Sequence, residues 1–377
     1  MSIQGLRTRQ DILDFSTGAD FLSANGGGDP DELGFRSLLE EDLERGLDLT
    51  WVRLGDLPDE ASVVCPVFSG SIAPDSFDPA RMERRLGLER RVRRPLGVAV
   101  RELEAFTGEM FDFVISAEIG GLNTVAALDT AADLGLPIVD ADYAGRAVPE
   151  ANCTTPNLFG KLVYPMTCVD FYGDVTYLKD AQNNRMAERL GKYIASASLG
   201  VVGCACMSLS GREVKEIAVP DTLSECLAIG RAIRQAREKG LDPVQAVIDE
   251  LEQAWMLFQG MIVSRDWEDR EGYMWGEHEI EGDGKFSGQR LKLWFKNENH
   301  MSWLNGEPYV ASPDILEVVD AQTGQPLSNT HMGKGQQVAV IGVRRRPQFD
   351  NEKGLEVLGP RHWGFDVDFQ PIEKLVQ

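Results

Sequence analysis

The sequence predicts an α/β fold joined to a β-rich one. An amino-terminal three-layer α/β domain with a mostly parallel sheet is followed by a carboxy-terminal domain with helices and a small antiparallel barrel or sandwich. Three observations carry this expectation. Apolar runs of strand length alternate with helical patterns as far as about residue 150, as parallel strands joined by crossover helices require. Two helical patterns then follow one another, at Thr222–Lys239 and Pro243–Leu257. Beyond Gly260 the texture changes to short strands bounded by turn residues. The 377 residues, 43% of them hydrophobic, suffice for two such cores, divided here at 1–171 and 172–377.

Taken in order, Asp11 to Ser16 opens a helix, and Gly18 to Ala24 reads as a short strand running into Asn25-Gly26-Gly27-Gly28-Asp29-Pro30. The glycines permit positive φ and close backbone approach, and Pro30-Asp31-Glu32 starts a helix reaching Gly46. A strand, glycine loop and helix can cradle an anion, although Asp29 opposes a phosphate and a plain tight turn fits equally well. Trp51–Leu54 and Ser62–Phe68 read as strands, the second ending in Ser69-Gly70-Ser71. Pro95–Thr107 is a helix, Phe111–Ser116 a strand, and Thr124–Leu134 a helix leading to the apolar run Ile138-Val139. Asn183–Ser196 is helical, and Leu199–Leu209 is a nearly continuous apolar strand. The helical segment thus spans about 180–258. The β-rich segment, about 260–371, holds strands at Met261–Asp266, Gly272–Glu281, Arg290–Asn297, Glu307–Ala311, Ile315–Asp320, Gln337–Val343 and Phe365–Phe369.

A net charge of −22 argues against nucleic acid and anionic membranes, because phosphate surfaces need a basic patch. The arginines between Arg81 and Arg94 read as a solvated helix face or subunit contact. No run of eighteen apolar residues occurs and the first residues lack the apolar core of a signal peptide, so a cytoplasmic location is expected. The six cysteines form no disulfide framework and read mostly as buried thiols.

Charge concentrates at one strand exit, Asp140-Ala-Asp142-Tyr143-Ala-Gly145-Arg146-Ala-Val-Pro149-Glu150, with Glu118 and Asn123 at the preceding one. Ligands of open α/β sheets bind beyond the carboxyl ends of the strands, so the site is expected there; the competing reading makes Asp140 or Asp142 a helix cap. Asp140 or Asp142 could act as base, since neighbouring carboxylates raise one another's pKa. Arg146 could clamp a substrate carboxylate or pair with Glu150, Asn123 could bond a ring amide, and the Gly26, Gly27 and Gly28 amides could receive a developing anion beside Asp29. Glu118 and Glu150 are candidates for a second acid. No cofactor is required, but a divalent ion on Asp140, Asp142 and Glu118 is compatible with oxygen-donor chemistry. The four histidines form no metal motif, and Cys153, Cys204 and Cys206 are packing thiols or, in a rival mechanism, nucleophiles.

These segments, with Asn297-Glu298-Asn299 and Gly359-Pro360-Arg361…Gly364-Phe365-Asp366-Val367-Asp368-Phe369, resemble the S-methyl-thiohydantoin desulfurase-like family over roughly residues 10–371. The resemblance implies an α/β domain before a β-rich one, and hydrolytic action on a small hydantoin-like or thiohydantoin-like ring. Its alternative is a non-catalytic, small-molecule-binding subunit beside hydantoinase or oxoprolinase partners; a homo-oligomer fits either. Relatives tend to carry a Pro-Met-Thr-Gly turn where this chain has Leu209-Ser210-Gly211, so the substrate changes if that turn lines the pocket.

Overall fold

The computed structural model describes residues 4–29, 31, 33–70 and 78–376. Pro30 and Glu32, named above at a helix start, and Ser71 lie outside the described residues. The first sheet contains β1 (Trp51–Arg53), β2 (Ser62–Gly70), β3 (Phe113–Ser116), β4 (Ile138–Asp142), β5 (Met166–Val169), β6 (Val175–Leu178), β7 (Val201–Ser210) and β8 (Val219–Pro220). Their order is β1-β4-β3-β2-β7-β5-β6, with β8 on β4. Strands β1, β4, β3 and β2 are parallel, while β7, β5 and β6 extend the sheet antiparallel. It is therefore a mixed sheet with a parallel half.

Helices cover both faces because β2 and β4 are apolar on both. Val64 and Phe68 join one core with the helices Arg9–Phe21, Pro95–Thr107 and Gly121–Leu134, whereas Val63 and Cys65 join the other. Gly121–Leu134 is buried around almost its whole circumference, as an apolar helix between a sheet and further helices must be.

The second sheet contains β9 (Ala254–Arg270), β10 (Tyr273–Gly282), β11 (Arg290–Lys296), β12 (Glu298–Leu304), β13 (Glu307–Ala311), β14 (Ile315–Asp320) and β15 (Gln337–Val343). It is antiparallel in the order β13-β12-β11-β10-β9-β15-β14 and curls, so that β12 and β13 approach β14. The result is a half-barrel.

Four expectations of detail need correction. Gly18–Ala24 is not a strand: Thr8 and Asp11 form a capping box and the helix runs from Arg9 to Phe21. Gly18 is there for contact, since a Cβ would stand 1.8 Å from the Cys226 carbonyl oxygen, and Gly230 meets the Asp14 carbonyl oxygen at 1.7 Å in the same way. These two glycines let the helices Arg9–Phe21 and Thr222–Lys239 cross with backbones in contact. The helix from Pro243 ends at Glu250, because the residues from Ala254 onward enter β9. Phe365–Phe369 is not a strand. Finally β12 was not anticipated, because its opening residues Glu298, Asn299 and His300 are buried polar groups that break the apolar alternation.

Candidate functional site

The site begins with a joint between the two sheets. Ala24 and Asn25 adopt positive φ, of 50° and 64°, and turn the chain into the glycine loop. The Asn25 side chain, 1% exposed, donates to Glu317 Oε1 and to the Val318 carbonyl, both at 2.8 Å, and accepts from Asn299 Nδ2 at 2.6 Å and the Val318 amide at 2.7 Å. Asn329 continues the network by donating to Asn299 Oδ1 and to the Asn297 carbonyl. Buried amides must be satisfied, and here each segment satisfies the other. The glycine loop is thereby locked to the start of β12.

That joint pushes Glu298 toward the loop. Its Oε1 accepts from the Gly27 amide at 3.2 Å, and a Cβ on Gly26 would lie 2.2 Å from the same oxygen, so only glycine leaves room. On the other side, the Gly27 carbonyl accepts from the Leu122 amide, docking the loop on the start of the helix Gly121–Leu134.

Between loop, sheet rim and helix Asn184–Ala197 lies a cavity of about 480 Å³. The carboxyl ends of β2 and β3 and the strand β7 border it, through Val67 to Gly70, Ala117-Glu118, and Val201, Cys204 and Cys206. Two buried carboxyls face it, Glu118 and Glu298. Glu118 is fully engaged: Oε1 accepts from Asn123 Nδ2 and Oε2 from the Val148 amide, both at 2.7 Å, and burial raises its pKa. Glu298 is only half engaged, because its Oε2 has no partner. Burial, with the charge of Glu118 adding and that of Arg146 opposing, pushes it up to about 8, so it carries a proton at neutral pH.

The strand exits do converge, but not with every residue expected. Gly26, Gly27, Gly28, Asp29, Glu118, Asn123 and Glu150 all line the cavity. Asn123 is a brace, since its Oδ1 also accepts from the Phe68 amide at 2.8 Å. Asp140 faces away: its Oδ1 accepts from the Leu223 and Ser224 amides at 2.9 and 3.0 Å, and Oδ2 from the Ser224 hydroxyl. It caps the helix Thr222–Lys239 from a neighbouring strand. Asp142 lies on the same face of β4, two residues on, and is wholly buried. Its Oδ2 binds the Ala144 and Gly145 amides, and burial raises it to about 7. Neither aspartate borders the cavity.

Arg146 is 2% exposed and does not border the cavity. It donates to the Ala147, Asn299 and Asp314 carbonyls, so it is a second clasp between the sheets. Glu150 pairs with Lys296, not Arg146, and also accepts from Asn152 Nδ2 at 2.9 Å. The turn Leu209-Ser210-Gly211 does not line the cavity, although Met207 just before it does, and it caps a helix through Ser210.

Asp140, Asp142 and Glu118 do not form a cation site. Among the described residues, one group brings potential ligand atoms within 4.8 Å of one another: Glu150, Cys153 and His362. Lys296 already neutralises Glu150, and the Cys153 thiol donates to the Val357 carbonyl with its pKa raised by burial. Cys204 and Cys206 border the cavity, but Cys204 lies 3.0 Å from the Cys168 sulfur and is pushed up as well, which disfavours the thiolate a nucleophile needs. Glu188 and Lys192 also reach the cavity, from the helix Asn184–Ala197, and were not anticipated. Glu298 was visible only as the middle of Asn297-Glu298-Asn299, a charged residue where a strand should alternate.

Models of the S-Me-THD-like N-terminal and C-terminal domains match residues 10–180 and 182–372. The chain belongs to this family. A crystal structure of a protein from Chromobacterium violaceum is similar over 99% of this chain and 100% of its own, with a TM-score of 0.76 at 21% identity, a likeness of fold. No curated protein sequence matches.

Proposed function

We propose that this member of the S-Me-THD-like family is a hydrolase of thiohydantoin-like rings and that the cavity between Glu118 and Glu298 is its active site. The observation carrying this reading is a buried carboxyl with an unpartnered oxygen, Glu298, held beside a second buried carboxyl on the wall of a cavity large enough for a ring. Acid and base work needs two groups whose surroundings separate their proton affinities. Glu118, accepting two N–H bonds, is the base that takes a proton from water, and Glu298 is the acid that keeps its proton until the ring arrives.

With an S-methyl thioimidate ring, water oxygen bonds to the ring carbon bearing sulfur while Glu118 takes its proton. Glu298 protonates the adjacent ring nitrogen. The carbon–sulfur bond then breaks, the electron pair leaves with sulfur and takes the proton from Glu118 to complete methanethiol, while the hydroxyl on the ring carbon returns its proton to Glu298 and becomes the ring carbonyl. Asn123 positions Glu118, while Asp140, Asp142 and Arg146 hold the scaffold.

The test is turnover of S-methyl-thiohydantoin and hydantoin acids, followed by ring absorbance and thiol release, in the native protein and in Glu118→Gln. Turnover that falls at least about 100-fold in the variant supports the reading. Turnover unaffected by the variant, or no turnover of any ring, refutes it.

A further inference from the structure

The cavity is larger than the ring the proposed chemistry needs. A pocket of about 150 Å³ suffices for benzene, so a five-membered ring leaves roughly 300 of the 480 Å³ for whatever it carries. Much of the surplus wall is apolar. Val163, Met166, Ala187, Gly191, Val201 and Cys204 line it, and most belong to a single packed apolar cluster. Ala187 and Gly191 are one turn apart on the helix Asn184–Ala197 and open a slot along it, flanked by Glu188 and Lys192, which also reach the cavity. The polar groups suited to a ring, Glu118, Glu298 and the glycine loop, come from other segments.

Resting on the hydrolase reading above, we infer that the substrate is a five-membered ring bearing a bulky apolar arm, of leucine or phenylalanine size, that lies against Ala187 and Gly191. An arm of this class replaces water along the wall, and its burial selects for size.

The experiment compares rings carrying hydrogen, methyl, isobutyl and benzyl, in the native protein and in Gly191→Leu. A Cβ on Gly191 meets only Met166 Cε and Ser69 Oγ, each at 3.6 Å, so the new side chain enters the slot without displacing backbone. In the native protein, kcat/KM is expected to rise about 10- to 100-fold from hydrogen to isobutyl or benzyl. In Gly191→Leu the benzyl ring is expected to lose at least about 10-fold more than the bare ring, with an unchanged thermal melt. Ala187→Leu repeats the test should Gly191→Leu misfold. Equal kcat/KM along the native series overturns the inference while leaving the hydrolase reading standing, as does a variant that slows every ring alike. Failure of all rings overturns the reading it rests on.

Discussion

Replacing Glu298 by glutamine separates the acid from its shape. The amide keeps an oxygen for the Gly27 N–H but has no titrating proton, so the cavity should survive while turnover falls about 10²- to 10⁴-fold, the usual worth of a positioned acid. Stability gives an independent reading. The carboxyl titrates near 4.5 when unfolded and near 8 when folded, so its contribution is complete below about pH 4.5 and is lost as pH rises toward 8. Between pH 5 and 7 that loss is about 2 to 3 kcal/mol, at 1.36 kcal/mol per unit of differential titration. Glutamine does not titrate, and most other groups are common to both proteins. Urea unfolding at pH 5, 6 and 7 should therefore show the variant gaining about 2 to 3 kcal/mol on the native protein across that range. Parallel stability curves would mean that Glu298 ionises normally, and the assigned acid would be lost.

Three further substitutions probe the scaffold. Gly26→Ala places a methyl 2.2 Å from Glu298 Oε1 and should abolish most turnover with a modest drop in melting temperature, read by activity and calorimetry; full activity would show the loop is not held against Glu298. Asp140→Asn weakens the cap on the helix Thr222–Lys239 and should cost about 1 to 2 kcal/mol in urea unfolding, with turnover of the folded protein within about threefold of native. A loss of several hundredfold would return Asp140 to the chemistry. Asn25→Ala strands buried partners on β12 and β14 and should cost about 3 kcal/mol or more, with the two halves protecting their amides less in hydrogen exchange.

The layers were legible because burial leaves a periodic trace. Thr222–Lys239 and Pro95–Thr107 have their sequence-read boundaries in the structure, the first opening after Asp221, the second on its own proline, and each closing at glycine. The site was legible only to its rim. Crowded charge at the exit of β4 was visible, but strand parity sends Asp140 and Asp142 toward the helix Thr222–Lys239 instead of the cavity, and parity relative to a future cavity is a tertiary fact. Gly18–Ala24 looked like a strand because its helical face is completed by contact at Gly18 with Cys226, more than two hundred residues away. Glu298 left no periodic mark because it fills a slot made by a missing side chain on Gly26.

That last pairing explains why the site sits between sheets. A lone buried carboxyl is costly wherever it is placed, since burial penalises its charge and an unmade hydrogen bond adds to the cost. Placing Glu298 on β12 spreads that cost over the joint: the Asn25 amide finds its partners on β12 and β14, and Asn299 one of its own on Asn25, only when the two parts are docked, and the same docking desolvates Glu298. The raised proton affinity is thus a property of the assembled joint, and neither sheet holds it alone. Loosening the joint at Asn25, without touching either carboxyl, should therefore return Glu298 toward ordinary carboxylate behaviour and move the high-pH limb of the pH–rate profile to lower pH. A limb that stayed in place would assign the titration to another group.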